Sequence, residues 1–355
     1  MTENVSVDEF DVVVVGGGVA GLSGALTLAR ARRSVIVVDA GEPRNAPAAR
    51  AHGLLSRDGT PPLELLRAGR DEVASYGGRL LSARAVSATR TASGFAVRTD
   101  TGDVVRGRRL LVTTGLVDEL PKVPGLRERW GRDVLHCPYC HGWEVRDRPI
   151  GVLGTSALSV HQALLFHQWS AQITLFVQSG VQLDEEQAER LAALGIRVVR
   201  GDVTGVDVVE DALAGVRLAS GQRITVEALV VAPRFTARSA LLEQLGVGTA
   251  EHPAGMGTLV PAGPGGRTAV PGLWVAGNVT DLVAAVPAAQ AAGAGAGAAI
   301  NLDLVEADAD AAVARHRSAA EGICSATAEA EVCERLQGSR RHGLDSLLAA
   351  EGDPA

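Results

Sequence analysis

The sequence has few aromatic residues and few cysteines, and it lacks both an excess of positive charge and a long, strongly apolar segment. Aromatic residues make up 3% of the 355 residues, so the chain has little with which to stack nucleic-acid bases. The formal net charge of −7 disfavours nucleic acid or an anionic membrane as the main partner. Four cysteines are too few for a disulfide scaffold in a chain this long.

The apolar stretches and the N-terminus indicate a soluble, cytoplasmic protein. Residues 282–300 are mostly alanine and glycine, with Pro287 and Gln290 inside them, so their side chains would bury too little area for a membrane span. The acidic N-terminus leads directly into a predicted strand and lacks the features of a signal peptide. The length of the chain predicts two or three domains.

The first predicted unit is a βαβ motif with a glycine-rich turn. The apolar run 11–15 precedes Gly16, Gly18 and Gly21, which have GxGxxG spacing, and Asp39 ends the second predicted strand. In dinucleotide sites such glycines permit a tight turn, close approach of the backbone to a pyrophosphate and close helix–strand contact. The acidic residue accepts a hydrogen bond from a ribose hydroxyl. We therefore expect a dinucleotide cofactor here.

The region after this motif is predicted to contain a loop, a helix, an antiparallel meander and a linker. Residues 41–62 are rich in glycine, proline and arginine and are predicted to be irregular, and residues 62–76 are predicted to be helical. Residues 77–114 alternate short apolar runs with turn signals, a pattern typical of antiparallel strands. Residues 120–125 are predicted to be a linker.

A second βαβ motif starts at residue 149, but its nucleotide-binding residues are degenerate. Ser156 and Ser159 occupy two of the three small positions, and Ser156 places a side chain where the backbone should approach a pyrophosphate. No Lys or Arg lies in residues 173–189, and acidic residues 184–186 would repel a 2′-phosphate. We expect the fold to be kept and the nicotinamide site to be weak or lost, with a variant loop that still binds NAD(P)H as the alternative.

The segment Cys137–Cys140 has a CxxC pattern and lies between the two βαβ motifs. In a reducing compartment such a pair is more often redox-active or metal-binding than structural. No second CxxC pair is present, and Cys324 and Cys333 are nine residues apart in a predicted helix, which is poor zinc geometry. We therefore expect no metal and a redox-active dithiol that can pass two electrons.

Several segments together resemble the low-molecular-weight thioredoxin reductases over roughly residues 10–300. They are residues 16–21 with Asp39, 113–115, 120–125, 137–140 and 270–278. The resemblance implies an α/β fold with two Rossmann-like, three-layer domains and a homodimeric assembly. An FAD domain made of residues 1–117 and 241–302 would be interrupted by an NADPH-type domain, residues 118–240, that carries the CxxC motif. Residues 303–355 have no counterpart in the reductase pattern, and their charged, alanine-rich composition predicts a C-terminal helical extension.

The residues around the CxxC motif are similar to a subgroup, the flavin-dependent dithiol oxidases of natural-product pathways. These enzymes form the disulfides of compounds such as gliotoxin, holomycin and romidepsin. In the subgroup a histidine follows the second cysteine, as His141 does here, and segments 41–45, 52–59 and 277–278 also resemble it. The resemblance implies FAD as cofactor, a small-molecule dithiol and oxygen as partners, and a role in natural-product biosynthesis and self-resistance.

The resemblance also implies the site residues. A substrate thiolate would attack Cys137, Cys140 would lie nearer the flavin, and His141 would act as base, with His136 as runner-up. The residues expected to contact FAD are Gly16, Gly18, Val19, Ala20, Gly21, Asp39, Ala40, Arg44, Asn45, His52, Thr114, Gly115, Gly277, Asn278 and Ala288. Val286 and Pro287 stand roughly where reductases carry an Arg-Gln pair, which would leave a more apolar pocket.

The expected function is oxidation of a dithiol to a disulfide with production of hydrogen peroxide. A disulfide reductase driven by NAD(P)H or ferredoxin is the alternative, and a non-catalytic flavoprotein that binds a thiol compound is a third possibility. Tyr139 and Trp143 are expected either to line a substrate pocket or to pack, and Glu144 to orient another group. Cys324 and Cys333 form either a second relay or two unreactive thiols.

Overall fold

The computed structural model describes residues 9–156, 158–323 and 326–337, and the chain divides into two compact units, Met1–Asn301 and Leu302–Ala355. The strands, in chain order, are β1 (Glu9–Val15), β2 (Val35–Asp39), β3 (Arg79–Ser82), β4 (Ala85–Arg90), β5 (Phe95–Thr99), β6 (Val104–Val112), β7 (Leu116–Glu119), β8 (Val134–Leu135), β9 (Ile150–Gly154), β10 (Ile173–Val177), β11 (Arg197–Arg200), β12 (Val203–Val209), β13 (Ala212–Leu218), β14 (Arg223–Ile224), β15 (Ala228–Val230), β16 (Arg234–Ala237), β17 (Ala250–Glu251), β18 (Gly257–Leu259) and β19 (Leu273–Val275). The helices are α1 (Val19–Arg30), α2 (Pro62–Ser75), α3 (Leu126–Arg129), α4 (Pro138–His141), α5 (Leu158–Phe166), α6 (Glu185–Ala193), α7 (Ala240–Glu243), α8 (Val286–Ile323) and α9 (Ala326–Gln337), with 3-10 turns at Pro264–Gly266 and Gly277–Val279.

The first sheet contains seven strands and carries the glycine-rich turn. Its order is β3-β2-β1-β6-β5-β4, and β19 also pairs with β6. Strands β3, β2, β1, β6 and β19 are parallel neighbours, whereas β4, β5 and the first part of β6 are antiparallel. The central strands β1 and β2 are apolar without alternation because the sheet is covered on both faces there.

The predicted antiparallel meander is therefore only partly correct. Strands β4 and β5 and the start of β6 form it, but β3 pairs in parallel with β2 and the end of β6 pairs in parallel with β1. Helix α2 provides the crossover that brings β3 beside β2 in the parallel direction. The direction of a short strand depends on such a crossover, which turn residues next to the strand do not indicate.

The second sheet is parallel throughout and positions the CxxC segment. Its order is β11-β10-β9-β15-β8, and Cys137 follows two residues after the edge strand β8. The CxxC segment and the turn after β9 therefore both follow the carboxyl ends of parallel strands, the edge at which open α/β sheets bind ligands. The predicted second βαβ motif is confirmed as β9, α5 and β10.

Two smaller sheets complete the first unit. Strands β12, β13 and β14 form an antiparallel sheet, and a four-stranded sheet has the order β17-β18-β16-β7. In the latter, β7 leads towards the second sheet and β16 leads back from it. The two strands are antiparallel, with Leu116 opposite Ala237 and Glu119 opposite Arg234. The predicted α/β class is confirmed, and the predicted domain limits stay a prediction.

Helix α8 includes both the small-residue segment and the first part of the predicted C-terminal extension. It continues without a break to Ile323, and α9 follows from Ala326 to Gln337. The rest of the predicted extension, residues 324–325 and 338–355, lies outside the described residues. Within the described ranges, no helix combines the length and the apolar character needed to cross a membrane.

Close packing of α8 against α1 depends on two glycines. A Cβ atom at Gly293 would overlap the carbonyl oxygen of Ala20, and one at Gly297 would lie 2.7 Å from the carbonyl oxygen of Gly24. Gly295, between them, faces open space instead, with no heavy atom within 4 Å of an added Cβ. Successive positions on a helix turn by about 100°, which places Gly295 on the opposite face.

We expect Gly293→Ala and Gly295→Ala to have opposite effects on stability. The first forces the two helices apart and should lower the free energy of unfolding by about 1–3 kcal/mol. The second only improves helix propensity and should raise it by up to about 1 kcal/mol. Urea denaturation of the two variants beside wild type measures both changes. Equal stabilities of the two variants would contradict the packing described here.

Candidate active site

The glycine-rich turn joins β1 to the N-terminus of α1. Gly16 has a φ of 105°, and Gly18 caps α1 without any side-chain hydrogen bond to the first turn. An added Cβ at Gly18 would meet no atom within 4 Å, so the space in front of the helix is open. Uncapped backbone N–H groups facing open space fit the pyrophosphate of a dinucleotide.

Asp39 ties the glycine-rich turn to α2. Its Oδ1 accepts a 2.9 Å hydrogen bond from the backbone N–H of Gly17, and its Oδ2 accepts one of 2.8 Å from Arg70 Nη2. Each carboxylate oxygen has two lone pairs, so Asp39 keeps the capacity to accept from a ribose hydroxyl as the sequence predicts. Arg70 was not among the predicted site residues because nothing in the helical pattern of α2 distinguishes it.

A single cavity of about 1070 Å³ brings most of the predicted residues together. The predicted residues that line it are Gly16, Gly18, Val19, Ala20, Asp39, Ala40, Arg44, Asn45, His52, Thr114, Gly115, Cys137, Cys140, His141, Gly277 and Asn278. Gly21 and Ala288 are not among the lining residues. Gly21 packs α1 against Gly16 instead, and Ala288 is exposed, whereas its neighbour Ala289, one helical step away, lines the cavity.

Arg44 connects four separate parts of the chain beside this cavity. Its guanidinium makes two hydrogen bonds to the Asp118 carboxylate, of 2.9 and 2.7 Å, and a third, of 3.2 Å, to Asn278 Oδ1. Its Cζ also lies 5.1 Å from the centre of the Phe235 ring, a cation–π contact. Four segments therefore meet at one arginine: the loop after β2, strand β7, strand β16 and the turn after β19.

Asn278 uses every part of its amide. Oδ1 accepts from Arg44, and Nδ2 donates to the carbonyl oxygens of Asp281 and Ala284, at 2.9 and 3.0 Å. Asn278 is among the residues expected to contact FAD, and its Oδ1, which has two lone pairs, can accept a second hydrogen bond beside the one from Arg44. The two donated bonds hold residues 281–284, which lead into α8 and line the cavity at Leu282 and Ala284.

Cys137 and Cys140 form a disulfide on the wall of the cavity, with their Cα atoms 5.3 Å apart. Cys137 is the N-cap residue of the short helix α4, and Pro138 occupies the first helical position, where its missing N–H breaks no hydrogen bond. The backbone N–H of Cys140 donates to the Cys137 carbonyl oxygen at 3.3 Å. The local sequence thus forms a tight turn that favours closure of the disulfide.

Aromatic residues surround the outer side of this turn. Tyr139 lines the cavity, is 73% exposed and makes an edge-to-face contact with Trp169, with ring centroids 5.8 Å apart. Trp143 is exposed outside the lining, and the Arg146 guanidinium stacks on it at 4.1 Å. A Cβ at Gly142 would lie 2.8 Å from the Trp169 ring, so the ring packs directly against the end of α4.

His141 and His136 differ in how their ring nitrogens are used. Both imidazole nitrogens of His141 are buried without a hydrogen-bond partner, although the ring lines the cavity beside the disulfide. His136 Nδ1 lies 3.1 Å from the carbonyl oxygen of Val231, to which it donates, and its ring packs edge-to-face on Phe235. Burial lowers the pKa of each histidine below its ordinary value, so both favour the neutral form.

The end of the second βαβ motif is occupied by an acidic side chain that the sequence did not indicate. Asp202 accepts hydrogen bonds from the backbone N–H and the hydroxyl of Ser179, at 2.6 and 2.7 Å, just beyond β10. These bonds lower the pKa of Asp202, which keeps it charged. Asp202 directly precedes β12, so the sequence of β10 and its following turn does not indicate this carboxylate.

The other two cysteines, Cys324 and Cys333, lie near the C-terminal end of the sequence. Cys333 is an exposed free thiol on α9, and Cys324 lies outside the described residues. A search of the described residues finds no cluster of three metal-ligating side chains. The candidate site therefore consists of one disulfide, a neighbouring imidazole and a dinucleotide-shaped cradle.

Comparison with known families agrees with this geometry. Residues 10–293 match the family described as pyridine nucleotide-disulphide oxidoreductase. The chain belongs to this family. Its members and the thioredoxin reductases bind FAD, and the open cradle at Gly18 fits that cofactor. Residues of the glycine-rich turn, Asp39 and the node around Arg44 would hold it.

The relatives include fungal thioredoxin reductases and two solved structures. Thioredoxin reductase sirT of Leptosphaeria maculans is 30% identical over 286 residues, which cover 76% of this chain and 86% of that protein. Thioredoxin reductase tcpT of Claviceps purpurea is 28% identical over 300 residues, covering 80% and 90%. The crystal structure of HlmI is 43% identical with a TM-score of 0.82, and the match covers 89% of this chain and 98% of HlmI. An oxidoreductase from Agrobacterium tumefaciens is 36% identical with a TM-score of 0.78, covering 84% and 99%.

We expect Asn278→Ala to destabilise the site. The substitution removes the donors to Asp281 and Ala284 and the acceptor of the Arg44 guanidinium, at a cost of about 1–3 kcal/mol in unfolding free energy. Urea denaturation and the flavin retained after gel filtration measure this loss. An alanine variant as stable as wild type would contradict the hydrogen-bond assignment.

We expect the protein to lose stability on acidification through its buried histidines. The unfolded chain protonates these residues at the ordinary pKa of 6.5, whereas burial lowers the folded pKa of His136 and His141. The unfolded state therefore binds more protons below pH 6.5, and the stability present above that pH is lost as pH falls through the folded values. Melting temperatures between about pH 7.5 and about pH 5.5 measure this loss. His141→Gln should reduce it, whereas His316→Gln, at an exposed position, should not.

Proposed function

We propose that this protein is an FAD-dependent dithiol oxidase that forms an intramolecular disulfide in a small natural-product dithiol, with oxygen as electron acceptor. The observation that carries the proposal is the Cys137–Cys140 disulfide in the wall of the same cavity as the dinucleotide cradle. Similarity to HlmI, over nearly the whole of that chain, supports the assignment to this branch of the family.

The chemistry starts with thiol–disulfide exchange. A substrate thiolate attacks Sγ of Cys137, the Cys137–Cys140 bond breaks and Cys140 leaves as a thiolate. The second substrate thiolate then attacks the substrate sulfur that is bound to Cys137. Cys137 leaves as a thiolate, and the substrate departs as a cyclic disulfide. The substrate loses two electrons and two protons, and the cysteine pair gains the electrons. When bound, FAD supplies the two-electron acceptor for the reduced pair, with oxygen as the final oxidant and hydrogen peroxide as its product.

His141 is the proposed base that removes the substrate's thiol proton. It follows Cys140 directly, lines the cavity and has no partner on either ring nitrogen. Because burial lowers its pKa, the imidazole is neutral near pH 7 and can accept a proton. His136 is less suited to this role because its ring is held by Val231 and Phe235.

The cavity supports a small, apolar substrate. The disulfide is half-buried, and the lining of its cavity contains more apolar than charged side chains. Apolar residues of this lining include Pro47, Trp130, Val134, Leu165, Phe166 and Val286. A compact dithiol could enter and displace water there, at about 25 cal/mol per Å² of apolar surface buried. We also propose a cytoplasmic homodimer, which size-exclusion chromatography and fractionation would test.

The alternative of a pyridine-nucleotide-driven reductase is disfavoured by the second βαβ motif. Asp202 holds the donors of Ser179 and would repel the 2′-phosphate of NADPH. The buried Ser159 hydroxyl fills the third small position and bonds the Leu153 carbonyl oxygen at 3.4 Å. Asp202 would not repel NADH in this way, so both nucleotides belong in the test.

Anaerobic reduction of the bound flavin tests the proposal. We expect dithiothreitol to bleach the flavin absorbance rapidly and NADPH and NADH to do so slowly or not at all. Admission of air should restore the colour with one equivalent of peroxide per flavin, by the stoichiometry of two-electron transfer. Cys137→Ser and Cys140→Ser should lose bleaching by dithiol, and the matched control Cys333→Ser should keep it. Rapid bleaching by either nucleotide would show a reductase instead.

A further inference from the structure

His52 lies between two carboxylates at the edge of the cavity. Its Nδ1 is 3.2 Å from Asp58 Oδ2, and its Nε2 is 3.3 Å from Glu144 Oε1, an ion-pair distance. Asp58 is fixed in turn, because its Oδ1 accepts a 2.8 Å hydrogen bond from the backbone N–H of Gly53. The loop after β2 thus reaches across to the residues that follow the CxxC motif.

The two contacts of His52 differ in kind. Its Nδ1 is within hydrogen-bond distance of Asp58, whereas its buried Nε2 makes no hydrogen bond and meets Glu144 at an ion-pair distance. Glu144 and His52 are in turn the two charged side chains that act on His141.

Glu144 is the member of the cluster that favours a proton on His141. Burial lowers the pKa of His141 most strongly, the Glu144 carboxylate raises it and His52 lowers it. The Glu144 side chain is 42% exposed, so an unrestrained carboxylate would be free to turn into solvent, where screening weakens its effect. The contact with His52 provides the restraint, and Asp58 holds His52 in place.

We propose that His52 is a positioning residue that holds the Glu144 carboxylate beside His141 and thereby stabilises the imidazolium formed when His141 takes the substrate's thiol proton. This role rests on the proposed dithiol oxidation and differs from the contact with FAD predicted for His52 from the sequence. The step is a proton transfer alone: the thiol S–H bond breaks, an N–H bond forms on His141, and the proton returns to solvent after the product leaves. His52, Glu144 and Asp58 undergo no net change.

The arrangement explains how a buried base can work without a hydrogen-bonded partner of its own. An imidazolium whose ring nitrogens are buried without hydrogen-bond partners is disfavoured because it has lost its hydration. A fixed carboxylate nearby offsets part of that cost, in the way that buried aspartates support catalytic histidines in hydrolases. Here the carboxylate acts from a distance set by His52 rather than through a direct hydrogen bond.

A double-mutant cycle tests whether His52 acts through Glu144. The rate of anaerobic flavin reduction by dithiothreitol is measured by stopped flow for wild type, His52→Gln, Glu144→Gln and the double variant. We expect each single variant to be slower by roughly 10-fold and the double variant to be no slower than the worse single variant. Arg57→Gln, an exposed change of charge in the same loop, is the matched control and should match wild type.

A pH profile separates this role from a purely structural one. Because the Glu144 charge raises the pKa of His141, Glu144→Gln should move the midpoint of the rate profile to lower pH. Asp58→Asn, which weakens the hold on His52, should lower the rate by less than His52→Gln. Flavin content and melting temperature are recorded for every variant.

Each outcome has a distinct meaning. Three results would overturn the positioning role while leaving dithiol oxidation intact. They are multiplicative rate losses in the double variant, an unmoved pH midpoint in Glu144→Gln, and loss of flavin from His52→Gln. Wild-type flavin that dithiothreitol does not bleach would overturn the proposed function first, and the role of His52 with it.

Discussion

The arrangement of the candidate site depends on the Arg44 guanidinium. One planar cation pairs with Asp118 on β7, stacks on Phe235 of β16 and donates to Asn278 after β19. Strands β7 and β16 are the two connections between the first and second sheets, so Arg44 joins both connections to the loop that follows β2. A lysine would not replace it, because only the guanidinium offers a fork of donors and a flat face at once.

The same node controls the environment of the redox pair. Phe235, on which Arg44 stacks, also packs against His136, which precedes Cys137. The residue that precedes the CxxC motif is therefore held by an aromatic and cationic stack. Glu144, which follows the motif, contacts His52. Both contacts involve residues of the irregular segment between β2 and α2, Arg44 and His52.

Local patterns in the sequence were sufficient for the first βαβ motif, α2, the second βαβ motif and the redox pair. Each of these has its signal within a short window: glycine spacing, helical periodicity or CxxC. Partnerships between distant residues could not be predicted this way. Asp118 meets Arg44, Asp202 meets Ser179 and Glu144 meets His52 only because strands from different parts of the chain end at the same edge. The sequence predicted Ala288 at the cofactor, whereas Ala289 lines the cavity. An error of one residue in a helix turns the side chain by about 100° and places it on another face.

Strands β5 and β19 pair with different parts of the same edge of β6, and this has a consequence for synthesis on the ribosome. The first part of β6 pairs with β5, but its last residues, Leu110–Val112, obtain their second neighbour only from β19. That strand is translated after the entire second sheet, so an apolar strand edge of the nascent chain waits unpaired while the inserted region is made and folds. Cells that produce this protein should therefore depend on chaperone capacity more than its modest length suggests, and a stalled or truncated chain would expose a template for aggregation.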